Sequence, residues 1–164
     1  MPMFSQGTQL YFLDPDGNGG NGAVVKFDCA KGIGALSAPH ATTDGTCLED
    51  TDGLTNLPIF GQPGSTNIIV DWDPRIPSHI RVDQLYQSRT TVHWVIGLSD
   101  GAGIPPTVGS DGFDLPNTRT WREFEGYVND MPVDHQTNTY YNAQIPIQLA
   151  GKPGPFIPKV IPSA

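Results

Sequence analysis

The chain has 164 residues, 19 of them Gly and 16 Pro, a 37% hydrophobic content and a formal net charge of −8. Breakers at this density exclude a helical bundle and predict short strands with long loops, in a length that suits one domain with a core of its own. The acidic balance excludes a conventional nucleic-acid reader, whose basic stripes release counterions from phosphate.

In chain order, alternation and β-branched content predict strands at 8–13, 23–28, 66–72, 90–98, 121–129 and 140–149. The first two flank LDPDGNGGNGAVV, where Asp14, Asp16, Asn18 and Gly19 imitate the start of a calcium loop. The twelfth position, which should supply a bidentate Glu, is Val25, and the flanks read as strands, not helices. A hairpin turn is the expected structure, with weak calcium binding as the alternative. Pro77 and Ser78 start a helix, Ser78 as its N-cap, which aligns Val82, Leu85 and Tyr86 and runs to about Ser88. In the next strand Val92, Trp94, Ile96 and Leu98 share one face, with Thr91, His93 and Gly97 on the other. Pro146 cannot donate to a ladder, so the last strand is expected to be at an edge there, or bulged. The expected fold class is mainly β: an antiparallel sandwich or barrel with one short flanking α-helix and long loops.

Three segments fall outside these elements. They are an N-terminal arm at 1–7, a long irregular loop at about 32–63 and a Pro-rich C-terminal arm at 151–164. The loop carries Leu48, Leu54, Leu57, Ile59 and Phe60, and the C-terminal arm carries Phe156, Ile157, Val160 and Ile161. Apolar residues on segments without a core of their own predict that the loop meets the domain core or another subunit and that the C-terminal arm docks onto a neighbour. Leu48, Leu54, Leu57, Ile59, Phe60, Phe156 and Ile157 are therefore the candidate self-assembly residues.

Sites of chemistry are hard to find. GLSDG, Gly97 to Gly101, fits a nucleophile elbow, but Pro105 and Pro106 follow where the elbow needs a helix, so a hairpin turn is expected. His40, His79, His93 and His135 are scattered and read as surface or strand residues. Asp71 with Asp73, and Glu123 with Glu125, fall on single sheet faces and not across a cleft, as a solvated or lumen-lining face would have them. Cys29 and Cys47 are expected as two thiols in a reducing cytoplasm, with a disulfide between them as the alternative, and a zinc site using both with His40 lacks a close Cys pair and a fourth ligand. Neither a catalytic residue, a metal nor a cofactor is expected. The N-terminal MPMFSQGTQL has no signal-peptide pattern and no apolar run approaches membrane-spanning length, so a cytoplasmic product is predicted.

The order of parts resembles one family. GTQLYFLDPDGNG is followed by VVKFDCAKGIGALSAPHATTDGTCLED, the strand STNIIVDWDP and the helix IPSHIRVDQLYQS. TTVHWVIGLSDG and TWREFEGYVNDMPVDHQTNTYYNAQIPIQLAGKP then lead to a short Pro-rich end. This is similar to the tail tube, or major tail, proteins of long-tailed phages of the lambda type. The resemblance implies a β-sandwich or barrel that self-assembles into rings, commonly hexameric, stacked as a hollow virion tube through which the genome passes without specific binding. It also implies tape measure, tail terminator and baseplate or tail-tip proteins as partners, with assembly in the host bacterial cytoplasm. Two alternatives remain: a head-tail joining or terminator ring, and a calcium-dependent carbohydrate-binding β-sandwich. The latter would use Asp14, Asp16 and Asn18 as ligands and Trp72, Trp94 or Trp121 as a stacking platform.

Overall fold

A computed structural model describes residues 2–17, 20, 22–49, 51–61, 63–110 and 112–160. Asn18, Gly19 and Ile161 lie outside the described residues. The six predicted strands are all present: β1 (Gln9–Asp14), β2 (Ala23–Phe27), β6 (Ser65–Asp71), β7 (Val92–Gly97), β10 (Trp121–Val128) and β12 (Asn142–Leu149). Shorter strands join them: β3 (Ala30–Ile33), β4 (Ala41–Asp44), β5 (Asn56–Ile59), β8 (Thr107–Gly109), β9 (Gly112–Asp114), β11 (Val133–Asp134) and β13 (Phe156–Ile157).

Nine strands form one antiparallel sheet with the central order β2-β1-β7-β10-β12-β6-β3. Strands β2 and β3 stand at opposite ends of that order, yet only Asp28 and Cys29 separate them. The sheet must therefore curl until its two ends meet, and Cys29 takes the left-handed conformation at the corner. Inside the curl lies the main core of Leu10, Phe12, Ile68, Val70, Trp94, Phe124, Ile145 and Ile147. Trp94 is its hub, packed 5.2 Å from Phe12 and stacked 6.2 Å from Phe124 (ring centroids), and its indole donates to Gly126 O. A Cβ on Gly126 would fall 2.6 Å from Gln148 O, so the close approach of β10 to β12 requires glycine.

The helix α1 (Pro77–Ser88) buries Val82 and Leu85 against this core. Ser78 is not its N-cap. Ile76 holds that place, Pro77 is the first helical residue, and buried Ser78 instead donates to the Asp28 carboxylate and accepts from the Asp28 N–H. A proline that needs no N–H partner leaves the serine free to tie the helix to the β2–β3 corner. His79 corrects the expectation of a surface or strand histidine: it is fully buried on the helix and stacks on Phe27. Its Nδ1 accepts from the Asp73 N–H, which fixes the tautomer in which Nε2 donates to Asp28 O.

The outer face of β7 also differs from simple alternation. Val95 is fully buried with Tyr11 and Trp121 in a second small core, covered by Ile104, Phe113 and Leu115. Over this core Arg119 lies completely buried. Its guanidinium donates to the carbonyls of Gly7, Gly97, Leu98 and Ile104 and to Gln9 Oε1, and stands 5.1 Å from the Trp121 ring.

Pro146 is not at a sheet edge, because β12 runs between β10 and β6. Its carbonyl accepts from Asn129 N–H just where β10 ends, and β12 pairs with β11 further on. The missing donor faces the same neighbour, so the proline costs only the reciprocal bond to Asn129, at the point where β10 ends.

Candidate assembly surface

Strands β3 and β6 pair from Ala30↔Val70 to Ile33↔Ile68, with a register shift between Ala30 and Gly32, and a bridge at Ser37↔Ser65 continues the pairing beyond β3. Strands β4 and β5 then carry it outward from Ala41↔Ile59 to Asp44↔Asn56, closed by Gly45 N–H to Thr55 O. The segment 32–63, expected to be irregular, is thus the projecting half of one long β-ribbon. At about 3.3 Å per residue the strand from Ala30 to Asp44 measures roughly 45 Å along its contour. Every residue of β4 and β5 is exposed.

The ribbon places the predicted residues in solvent. Leu48 and Leu54 are exposed at its outer end, Leu57 and Ile59 lie on β5, and Phe60 is 98% exposed at its base. Phe156 and Ile157 are separate from these. They form β13, which pairs with Trp121 and Arg122 of the chain's own β10, with the Arg122 guanidinium 4.6 Å from the Phe156 ring. The C-terminal arm, expected to dock onto a neighbour, also returns to its own sheet. On β10, β12 pairs only with Gly126–Val128, which leaves the first half of that edge to β13. Lys159 and Val160 extend that return through hydrogen bonds to Thr120 and Asn117, yet Phe156 and Ile157 remain exposed.

The other candidates are resolved by geometry. Asp14 and Asp16 both bind Arg81, at 2.7 and 2.9 Å, so a helix side chain supplies the cation at this turn. Calcium at millimolar concentration is accordingly expected to leave the thermal midpoint unchanged to within about 1 °C, and a calcium-dependent rise would contradict this. Cys29 and Cys47 are both exposed and not joined in a disulfide, one at the β2–β3 corner and the other near the ribbon's outer end. Among the described residues no group of three or more His, Cys, Asp and Glu could hold a metal ion.

Gly97 to Gly101 makes a short 3-10 turn at Ser99–Gly101, not the expected hairpin turn, because β7 returns to β10 only after the β8–β9 excursion. Ser99 Oγ donates to Phe4 O, and Asp100 accepts from Thr120. A Cβ on Gly97 would lie 2.5 Å from Arg119 Cζ, which explains the glycine without a nucleophile. Trp94 and Trp121 have no exposed surface and cannot form a platform, and Trp72 is partly buried.

Asp71 pairs with Lys31 at 2.6 Å. The guanidinium of Arg75 holds the Asp73 carboxyl down to about 2, so that interaction is present above the ordinary carboxylate range and lost only as pH falls toward 2. Glu125 faces His93 across the β7–β10 pair at 3.5 Å, and both are about half exposed. Sequence reasoning overlooked Arg119 and Arg81, whose roles rest on partners about 110 and 67 residues away in the chain.

A curled antiparallel sheet with one flanking helix, a projecting ribbon and uncovered apolar side chains is the build of a structural subunit. The profile described as phage tail tube, TTP, lambda-like matches residues 1–159, and the chain belongs to that family. It is 31% identical over 159 residues to "Structural protein 3" of Pseudomonas phage PAJU2, covering 94% of this chain and 93% of that one. Two solved structures share the fold. The SPP1 tail tube matches with a TM-score of 0.65 at 10% identity, over 93% of this chain and 79% of its own. The tail of an empty gene transfer agent particle, refined with C6 symmetry, matches with a TM-score of 0.64 at 12% identity, over 93% and 98%. The protein is a structural component of the virion tail tube.

Proposed function

We propose that this tail tube protein assembles into six-membered rings and that its ribbon joins them into an open-ended tube. The observation that carries this reading is the ribbon itself. A two-stranded ribbon is marginal in water, and this one holds Leu48, Leu54, Leu57, Ile59 and Phe60 out of any core of its own. Burying such side chains against another copy stabilises the contact by roughly 1.5–3 kcal/mol each. Phe156 and Ile157, exposed on β13, add a second contact. Repetition around a ring multiplies modest contacts into a strong joint. The sixfold count rests on the C6 symmetry of the structurally similar gene transfer agent tail.

The chain acts as a single tube domain and performs no catalysis. Its polar outer face, with Glu123, Glu125, Gln144 and Gln148, lines the channel, where an acidic surface keeps passing DNA from sticking. Tape measure, terminator and baseplate or tail-tip proteins contact the tube, which assembles in the bacterial cytoplasm. Light scattering of the purified 17.7 kDa chain across a concentration series tests the ring reading. Six copies give a species of about 106 kDa that grows into longer assemblies. Mass fixed at one subunit at every concentration contradicts it.

A further inference from the structure

We propose that the aromatic groove at the end of the sheet remote from the ribbon receives the ribbon's outer end from a copy in the next ring, a contact that rests on the stacked-ring reading above. An open stack joins unlike surfaces, so whatever projects from one end of a subunit must be received at the other. The ribbon leaves the sheet beyond Ser65 and Ile33. At the far end of those same strands, where Ala30 meets Val70 and Asp71 meets Asn142, a groove opens among Trp72, Ile76, Tyr140 and Tyr141.

Three features of this groove fit that occupant. Tyr140 and Tyr141 are exposed in the lone chain, large apolar rings with polar tips of the kind that anchor protein contacts. Trp72 carries a buried indole N–H with no hydrogen-bond partner, which marks packing that one chain does not complete. The rim charges also match. Lys31 and Arg75 stand outermost, with side chains 60% and 89% exposed against 31% and 29% for their partners Asp71 and Asp73. The ribbon is the opposite: no Lys or Arg occurs from residue 32 to residue 74, and its outer end carries Asp44, Glu49 and Asp52 beside Leu48 and Leu54. A second apolar groove, lined by Ala38, Pro58, Ile59, Phe60 and Pro63, lies at the ribbon's own base, on the projecting side. It cannot serve as the receiving end of a stack.

A charge exchange tests the assignment. The variant Lys31→Glu/Arg75→Glu and the variant Glu49→Lys/Asp52→Lys change exposed side chains and are expected to keep the wild-type circular dichroism spectrum. Each raises the concentration needed for tubes about tenfold while rings still form, and the fourfold combination restores assembly. Iodide quenching supplies a second readout, since Trp94 and Trp121 are fully buried and quenchable emission comes from Trp72. That quenching falls when rings stack. Tubes from both double variants at the wild-type concentration overturn the proposal, as does an arrest before rings form, which places the contact within a ring. A wild-type chain that forms no tubes overturns the stacked-ring reading itself.

Discussion

Replacing Leu48, Leu54 and Phe60 together by serine yields a folded chain that forms no tubes. All three side chains are exposed and belong to no core cluster, so the monomer's stability should change by less than about 1 kcal/mol. Assembly loses three apolar contacts per subunit, each worth roughly 1.5–3 kcal/mol and repeated around every ring. Thermal unfolding checks the first expectation and negative-stain microscopy the second. Tubes of normal length at the wild-type concentration would show that the ribbon is not the joint.

The second large effect lies inside the subunit. Arg119→Met keeps much of the side chain's bulk but removes the donors to Gly7, Gly97, Leu98 and Ile104 carbonyls. Buried carbonyls left without a donor cost about 1–3 kcal/mol each, less whatever water reaches them, so a total loss of about 3–5 kcal/mol is expected. For a chain of this length that lowers the thermal midpoint by about 10 °C. The guanidinium has no carboxylate partner among its described hydrogen bonds; carbonyl dipoles and the Trp121 and Tyr11 rings stabilise its charge instead. Arg119 also holds the root of the N-terminal arm through Gly7, so loosening of that arm should accompany the loss of stability. A change under 1 kcal/mol would mean that water replaces the guanidinium without penalty.

Much of the scaffold is legible in the sequence because its long strands are half-buried. β12 alternates buried Ala143, Ile145, Ile147 and Leu149 with less buried neighbours, and β6 does the same with Thr66, Ile68 and Val70. Period-two patterning appears wherever one face meets a core and the other meets water. The ribbon is illegible for the same reason. The ATTD of β4 faces water on both sides and has no apolar face to repeat, while the NLPI of β5 offers only Leu57 and Ile59 in four residues and contains Pro58. Proline is tolerated there because each strand of a lone pair is an edge. The short AKGI of β3 owes its pairing to β6 and not to its own propensity.

The proposed assembly surface is half legible in the sequence. Apolar character on a Gly- and Pro-rich segment singles out Leu48, Leu54 and Phe60 as the proposed contacts, but the aromatic groove is hidden because Trp72, Tyr140 and Lys31 meet only in the folded chain. Arg119 was invisible, since an arginine before a strand is ordinarily a surface residue. Gly97 pointed toward it but reads equally as a turn. The N-cap assignment failed on a specific competition: Ser78 had a partner in Asp28, 50 residues earlier, and Pro77 made a capping hydroxyl unnecessary.

The most direct test of the account is a helical reconstruction by cryo-electron microscopy of whatever the purified chain forms at high concentration. The account predicts a hollow tube of stacked rings, with each ribbon lying across to the adjacent ring and the Glu123–Glu125 face turned to the channel. Separate monomers, or closed rings that never stack and leave the ribbons free in solvent, would contradict it.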